Sequence, residues 1–228
     1  TAYYNFEESS ASSLNDLSGN SNTSTITGTS LVSGKFGKGR SFNGSTDTIA
    51  ITDVDNNNDF TKSQDFTVSA WLKNPTSQTN TVATGNMIIE KWAGGYPYVI
   101  RINNQTSAYN GKYQVARYDG TNNPTITSTN AYNDNLWHYV TFMKNGSSIY
   151  IYVDGVSGGG SVSDSTTGTT TNASALYLAT RNGSYPWQGS MDDLKIYNYA
   201  RTQKQIVSDM SSRGGSTFGG NAGALAYW

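Results

Sequence analysis

Short runs in which apolar and polar residues alternate make up most of the chain, and turn-forming residues separate them. A period of two residues puts alternate side chains on opposite faces of an extended strand, so the pattern predicts an all-β protein. The clearest hairpin signal is Asn145-Gly146, because both residues tolerate the positive φ of a tight turn. The pattern predicts eleven strands, near residues 2–6, 39–42, 48–51, 66–72, 87–91, 98–102, 113–118, 137–144, 148–153, 175–179 and 190–197.

One segment is predicted to be helical, at residues 201–210. Thr202 is a suitable N-cap, and the apolar residues Ile206 and Met210 lie four apart on one helical face. Residues 155–173 are rich in Gly, Ser and Thr and have no apolar period, so a long loop or an irregular edge is expected there.

The sequence predicts a single domain over residues 1–210, because a β-sandwich of this length needs no second core. Residues 211–223 are rich in Gly and Ser and predict a linker. Residues 224–228 repeat the Ala-Tyr-aromatic pattern of residues 1–4, so we expect a following repeat to begin there. The alternative is a terminal strand that pairs within this sandwich or with a neighbouring molecule.

The composition disfavours several classes of protein. Hydrophobic residues make up 35% of the chain, but 16 Tyr, 7 Phe and 5 Trp supply large buried areas, which disfavours disorder. The net charge of -1 disfavours nucleic acid, which calls for a basic patch. The chain has no Cys, which removes disulfides and thiolate chemistry. No apolar run reaches the roughly 18–20 residues that span a bilayer, so no membrane insertion is expected.

Seven short motifs follow one another along the chain. They are AYYNFEE at 2–8, NDLSGNSN at 15–22, GKFGKGRSFNG at 34–44, FTVSAWL at 66–72, WHYV at 137–140, YIYVDG at 150–155 and GSMDDLKIYN at 189–198, with a short helix after the last. Together they resemble the laminin-G-like family of the concanavalin A-like lectin/glucanase superfamily.

The resemblance implies an antiparallel β-sandwich of the jelly-roll type with one short C-terminal helix. Members of the family mostly bind sugars or proteins, often with calcium, in extracellular enzymes and adhesins. The resemblance therefore implies an extracellular or cell-surface location and a glycan or a cell-surface protein as partner. The resemblance does not identify the ligand, because proteins that share one fold can carry different binding sites.

The sequence shows no recognisable catalytic pair of carboxylates. The related glucanases carry Glu-x-Asp-x-x-Glu on one strand, and the three glutamates here, Glu7, Glu8 and Glu90, do not form that motif. Two carboxyl groups must lie about 5–5.5 Å apart for retaining glycoside cleavage. Asp192 and Asp193 are adjacent on a predicted strand, so they point to opposite faces unless a bulge intervenes. We therefore expect a protein that is not an enzyme.

His138 is the only histidine of the chain. It lies in a strong strand, and no nucleophile motif such as Gly-x-Ser-x-Gly accompanies it. A structural, hydrogen-bonded histidine is expected.

A structural calcium site is predicted from four residues, Asp16, Asn20, Asn22 and Asp192. The loop that contains the first three offers carboxylate and amide oxygens at alternating spacing, and calcium prefers such ligands. Asp192 precedes the apolar Leu194 and Ile196 by two and four residues in one strand, so it would point into the core with them. A carboxylate buried there needs a partner. The alternative is an Asx-turn in the loop and an Asp192 bonded to backbone amides.

A ligand surface is predicted around aromatic residues in turns, because sugars stack on exposed rings and bond to nearby polar groups. The candidates are Trp92, Tyr96, Tyr98, Arg101, Arg117, Arg181, Tyr185 and Trp187. The alternative for Trp92 and Trp187 is that they cap the ends of the sandwich. Trp71 and Trp137 alternate within strands and are predicted to be core residues.

These observations favour a carbohydrate-binding or adhesive module. A structural subunit that self-associates through its terminal strand is the first alternative. A glycan-active enzyme with an unfamiliar carboxylate pair is the second.

Overall fold

The computed structural model describes residues 2–53, 56–78, 85–103 and 108–211, which form fifteen strands and one helix. The elements are β1 Ala2–Tyr4, β2 Ser24–Thr27, β3 Ser30–Ser33, β4 Lys38–Asn43, β5 Thr48–Ile51, β6 Phe66–Lys73, β7 Asn86–Glu90, β8 Tyr96–Asn103, β9 Lys112–Tyr118, β10 Thr125–Thr127, β11 Trp137–Asn145, β12 Ser148–Val153, β13 Val156–Ser163, β14 Leu176–Leu178, β15 Gln188–Tyr197 and α1 Gln203–Ser211. All eleven predicted strands and the predicted helix are present. The predicted linker, after its first residue, and the terminal segment 224–228 lie outside the described residues.

The strands form two antiparallel sheets. In the described part of the chain, the eight-stranded sheet has the order β13-β12-β11-β6-β15-β4-β3, with β1 also paired to β15. The seven-stranded sheet has the order β10-β9-β8-β7-β14-β5-β2. Asn145-Gly146 joins β11 to β12 as the predicted hairpin, and β15 lies between β6 and β4. The predicted antiparallel β-sandwich of the jelly-roll type is confirmed.

The inner faces of the two sheets enclose one apolar core, because strand residues alternate between faces. In β12, Ile149, Ile151 and Val153 belong to this core, and the residues between them are half-buried. The ring of Phe60 stacks on that of Phe66 with centroids 4.8 Å apart. Burial of apolar surface of this kind stabilises a fold by about 25 cal/mol per Å².

A second apolar cluster lies on the outer face of the eight-stranded sheet, under α1. It contains Trp71, Tyr139 and Ile206, with Trp137 packed against it. Trp71 is buried, as predicted for a core residue, but it lies in this outer cluster and not in the core between the sheets, and Trp137 is half-buried against it. Val68, Ala70 and Leu72 of β6 face that core, so the intervening Trp71 faces outward and is buried by the helix instead.

The helix α1 begins with a reciprocal capping arrangement. The backbone N–H of Thr202 donates to Gln205 Oε1 at 2.8 Å, and the backbone N–H of Gln205 donates to Thr202 Oγ1 at 3.3 Å. Such a capping box satisfies two N–H groups that have no partner within the helix. Thr202 is thus the N-cap that the sequence predicts.

A β-bulge in β15 changes the orientation of its acidic residues. The pairing of β15 with β6 shifts register between Asp192 and Lys195, and Asp193 has a φ of 54°. Met191 and Leu194 both face the core, so Asp192, which is opposite Trp71, lies on the outer side of the sheet. The inward orientation predicted for Asp192 is wrong, because a bulge breaks the two-residue period.

The predicted loop at residues 155–173 is partly a strand. Val156–Ser163 forms β13, which pairs with β12 at the edge of the eight-stranded sheet. No apolar alternation marks it, because most of its side chains are exposed. Among the described residues, no helix has the length and apolar character needed to cross a membrane.

Candidate functional site

Five of the eight predicted ligand residues lie together on the outer side of the seven-stranded sheet. Trp92 follows β7, Tyr96 and Arg101 belong to β8, and Arg181 and Tyr185 belong to the turn between β14 and β15. The strands bring in further side chains that the sequence analysis did not select. The surface formed by Glu90, Trp92, Tyr96, Arg101, Gln114, Tyr118, Arg181 and Tyr185 is called here the aromatic–arginine face.

Arg181 is held in place by one carboxylate and two rings. Its Nε and Nη2 atoms each donate to a Glu90 carboxylate oxygen at 2.7 Å. Its guanidinium carbon lies 4.1 Å from the ring centroid of Trp92 and 4.9 Å from that of Tyr185. Burial raises the pKa of Glu90, and the bonds from Arg181 oppose that rise. The planar guanidinium suits both contacts, since it forms paired bonds with a carboxylate and stacks on rings.

Trp92 lies within a group of aromatic rings. Its ring is parallel to that of Tyr118 to within 2°, with centroids 6.0 Å apart, and the ring of Tyr96 packs against both. Tyr96 is buried and its hydroxyl accepts from Asn123 Nδ2 at 2.7 Å. Trp92, Tyr118 and Tyr185 are half-buried, so part of each ring remains available to a ligand. Rings of this kind offer an apolar surface to the C–H side of a sugar.

A polar ladder crosses the same face beside the rings. Arg101 of β8, Gln114 of β9 and Thr127 of β10 lie directly opposite one another. Arg101 Nε donates to Gln114 Oε1 at 3.1 Å, and Gln114 Nε2 donates to Thr127 Oγ1 at 3.0 Å. The ladder places fixed polar groups next to an apolar platform, which is the usual composition of a small-molecule site.

Sequence reasoning missed three members of this face, Glu90, Gln114 and Tyr118. The signal for Gln114 and Tyr118 was the alternation of β9, in which the even-numbered residues face outward. No such signal existed for Glu90. The pairing of β7 with β8 shifts register between Met87 and Ile89, which changes the side on which Glu90 lies.

The other three predicted ligand residues are fully buried, so the prediction that they belong to a ligand surface is wrong. Tyr98, Arg117 and Trp187 each have 0% of their surface exposed. Tyr98 belongs to the core, and Arg117 donates to Asp164 Oδ2 at 2.8 Å. Trp187 donates through Nε1 to Asn74 Oδ1 at 2.8 Å. These side chains stabilise the sandwich. Trp187 therefore has a structural role and is not part of a ligand surface.

The loop predicted to bind calcium is an Asx-turn. Asp16 Oδ1 accepts from the backbone N–H groups of Tyr3 and Ser18, and Oδ2 accepts from the backbone and side-chain N–H groups of Asn22. Burial alone would raise the pKa of Asp16, but these bonds lower it. The Asp16 carboxylate thus accepts from four N–H groups, three of them in the backbone.

Asp192 bonds to a different segment of the chain from Asp16, and Asn20 bonds to Ser18 of the loop. Asp192 Oδ2 accepts from the backbone N–H of Phe36 at 2.9 Å, and Asn20 is exposed. Burial raises the pKa of Asp192 to about 7, and the carboxylate of Asp193 adds to the rise. In the described ranges, no group of three or more His, Asp or Glu side chains could hold a metal ion. Calcium binding stays a prediction.

His138 is held between two carboxylates. Nδ1 lies 2.7 Å from Asp154 Oδ2, and Nε2 lies 3.1 Å from Asp134 Oδ2. Burial would lower the pKa of His138, but the bonds to Asp154 and Asp134 raise it above 6.5. This arrangement agrees with a structural histidine.

A pH-dependent contribution of His138 to stability follows from its raised pKa. The contribution is fully present below the unfolded pKa, near 6.5, and is lost as pH rises through the folded pKa. We expect the free energy of unfolding to fall from pH 6 to pH 8 more steeply in the wild type than in His138→Gln. Urea denaturation at several pH values measures this. If the free energy of unfolding changed equally with pH in the two proteins, the ion pairs of His138 with Asp134 and Asp154 would be contradicted.

Comparison with known proteins agrees with the fold. The laminin G model of the concanavalin A-like lectin/glucanases superfamily matches residues 42–207. No curated protein matches the chain. Domain 4 of AbnA, an extracellular arabinanase from Geobacillus stearothermophilus solved with arabinotriose, is 20% identical with a TM-score of 0.66, covering 92% of this chain and 97% of that one.

Toxin binding domains are also similar in structure. The binding domain of Paraclostridial Mosquitocidal Protein 1 is 17% identical with a TM-score of 0.73, covering 90% of this chain and 50% of that one. The botulinum neurotoxin serotype D ligand binding domain, solved in complex with N-acetylneuraminic acid, is 16% identical with a TM-score of 0.70, covering 90% of this chain and 49% of that one. This chain thus spans about half the length of these toxin domains, and identities this low show the fold alone. With the family match, the chain belongs to the concanavalin A-like lectin/glucanases superfamily.

Proposed function

We propose that this chain is a non-catalytic, extracellular module that binds glycans on the aromatic–arginine face. The observation that carries the proposal is the juxtaposition of half-buried rings with fixed polar groups on one outer sheet face. Trp92, Tyr118 and Tyr185 provide ring surface, and Arg181 is fixed between two of these rings. A sugar needs both an apolar contact for its C–H groups and donors for its hydroxyl groups.

Preorganisation supports the same function. Immobilising a flexible side chain on binding costs about 0.5–1.5 kcal/mol. Arg181 is already ordered by Glu90, and Arg101 by Gln114, so a ligand meets donors whose freedom has been lost before binding.

Three carboxylates, those of Glu90, Asp192 and Asp193, support binding rather than hydrolysis, because protein donors already bond to each of them. Glu90 is the carboxylate of the aromatic–arginine face, and both of its oxygens accept from Arg181. Asp192 and Asp193 are buried on the other sheet, where Asp192 accepts from Phe36 and Asp193 pairs with Lys195. Glycoside hydrolysis needs two carboxyl groups that reach one sugar from opposite sides.

The similar structures support a glycan or a cell-surface partner. One was solved with arabinotriose and another with N-acetylneuraminic acid. From the sequence we further propose a structural calcium ion and self-association through residues 224–228.

A glycan array of the purified chain tests the function. We expect specific binding that falls at least tenfold in Trp92→Ala, because this ring contacts both Arg181 and Tyr96. Tyr199→Ala is the matched control, since Tyr199 is 44% exposed and its ring packs on Tyr197 of the eight-stranded sheet. Repeating the array with calcium and with chelator tests the calcium prediction. Absence of binding by folded protein, or equal loss in both variants, would contradict the proposed site.

A further inference from the structure

Provided that the aromatic–arginine face binds glycans as proposed, its charge determines which glycans it selects. Charge on this face is unbalanced. Among the seven described strands of this sheet, Glu90 is the only acidic residue. Arg101 and Lys112 lie on the outward-facing side of β8 and β9, and Arg181 adds a third cation from the turn. The chain as a whole has a net charge of -1, so this face differs in sign from the average surface.

The cations of the face are not equivalent. Arg181 and Glu90 neutralise each other through two bonds of 2.7 Å. Arg101 has no such partner. In the part of the chain that the structure describes, its one hydrogen bond runs from Nε to the neutral side chain of Gln114. Glu90 also attracts Arg101, but less strongly than Arg181, so the excess positive charge of the face lies mainly at Arg101 and the neighbouring Lys112.

The guanidinium of Arg101 is positioned to receive a carboxylate. The bond from Nε to Gln114 fixes the side chain and leaves Nη1 and Nη2 without an acceptor among the described residues. Two parallel N–H groups match the two oxygens of a carboxylate, and such charge-assisted pairs are about twice as strong as neutral hydrogen bonds. Arg101 is half-buried, so the pair would be partly shielded from water.

Arg101 also lies within reach of a sugar on the rings. Met87 is directly opposite Arg101, and the Nη2 atom of Arg181 lies 4.0 Å from Met87 Sδ. Directly opposite residues on paired strands are roughly 5 Å apart. A sugar ring on the surface formed by Arg181 and Tyr185 can therefore project a substituent toward Arg101.

We infer that the aromatic–arginine face selects glycans that carry a carboxylate, such as uronic or nonulosonic acid units, and that Arg101 binds this carboxylate. Tyr185 and Trp92 contact the apolar side of the same sugar or its neighbour. Lys112, diagonal to Arg101 across β8 and β9, favours the approach of an anionic chain.

Calorimetric titration tests the inference with matched ligands. The probes are trigalacturonate, triglucuronate and 3′-sialyllactose, each compared with its carboxyl-reduced neutral form. We expect the acidic form of the preferred probe to bind at least tenfold more tightly, and the difference to shrink as salt rises. Arg101→Gln should abolish the preference, and Arg101→Lys should retain part of it, because lysine keeps the charge but loses the paired donors. Lys204→Gln is the control, since Lys204 is exposed on α1 outside the other sheet.

The outcomes separate this inference from the proposed function. Equal binding of acidic and reduced ligands, or array binders that are all neutral, would overturn the carboxylate preference and leave glycan binding intact. An unchanged preference in folded Arg101→Gln would overturn the role of Arg101. Absence of binding to any glycan would remove the proposed function itself, and the inference with it.

Discussion

Trp187→Ala is expected to lower the free energy of unfolding by about 3–5 kcal/mol, the range for a large aromatic removed from a packed core. Trp187 is fully buried, and its ring centroid lies 5.8 Å from that of Phe42. Its Nε1 also donates to Asn74, whose amide in turn bonds to Tyr113. The substitution would leave a cavity and remove one partner of a buried polar group. Guanidinium denaturation followed by far-UV circular dichroism measures the effect.

Trp92→Ala is the matched control for this prediction. Trp92 is half-buried, so its removal exposes less new surface and we expect a smaller loss, about 1–2 kcal/mol. The two substitutions should therefore have different main effects. Trp187→Ala should mainly lower the free energy of unfolding, and Trp92→Ala should mainly weaken glycan binding. A loss below 1 kcal/mol in Trp187→Ala would mean that this side chain is not in the core.

Asp164→Asn is expected to cost a similar amount, about 3–5 kcal/mol, because it leaves a buried guanidinium without its counter-ion. Arg117 and Asp164 both have fully buried side chains and are joined by a bond of 2.8 Å. Burial lowers the pKa of Arg117, and Asp164 opposes that shift. The asparagine keeps an oxygen for Thr166 but no negative charge for Arg117. Urea denaturation of the two proteins at one pH measures the difference.

Asp65→Asn provides the same chemical change at a pair whose carboxylate is partly exposed to water, while its partner Lys144 is buried. Asp65 is 36% exposed and lies 3.5 Å from Lys144, so we expect a loss of about 1 kcal/mol or less. If the two substitutions cost the same, burial of the Arg117–Asp164 pair would not be the source of its effect.

Sequence alternation predicted the long strands well, and the failures have physical causes. The short strands that were missed, β2, β3 and β10, begin and end with Ser or Thr, whereas the equally short β1 and β14, which were predicted, are apolar or aromatic throughout. β13 was missed because its residues are small and mostly exposed. The orientation of Asp192 and of Glu90 depends on β-bulges, which one sequence does not reveal.

Two of the three buried residues in the predicted ligand set, Tyr98 and Arg117, could have been excluded because alternate residues of a strand face the same side of the sheet. Arg117 alternates in phase with Tyr113 and Val115, which are core residues. Tyr98 is in phase with Ile100, which is also in the core. The same rule places Arg101 outside.

Turn position alone could not separate the tryptophans. Tyr185, at a φ of 56°, lies in the turn and is half-buried. Trp187, two residues later and just before β15, is buried in the core. That difference depends on the path of the backbone, for example on the bond from the N–H of Trp187 to the carbonyl of Ala179.

Fluorine NMR of protein labelled with 5-fluorotryptophan tests most directly whether the aromatic–arginine face binds glycans. Single Trp→Phe replacements assign the signals, and trigalacturonate and its carboxyl-reduced form serve as ligands beside the strongest binder of the array. The proposed site predicts that the Trp92 signal shifts on titration. The signals of Trp71 and Trp137, on the other sheet, and of Trp187, in the core, should stay. A shift confined to Trp71 or Trp137, with Trp92 unchanged, would contradict it.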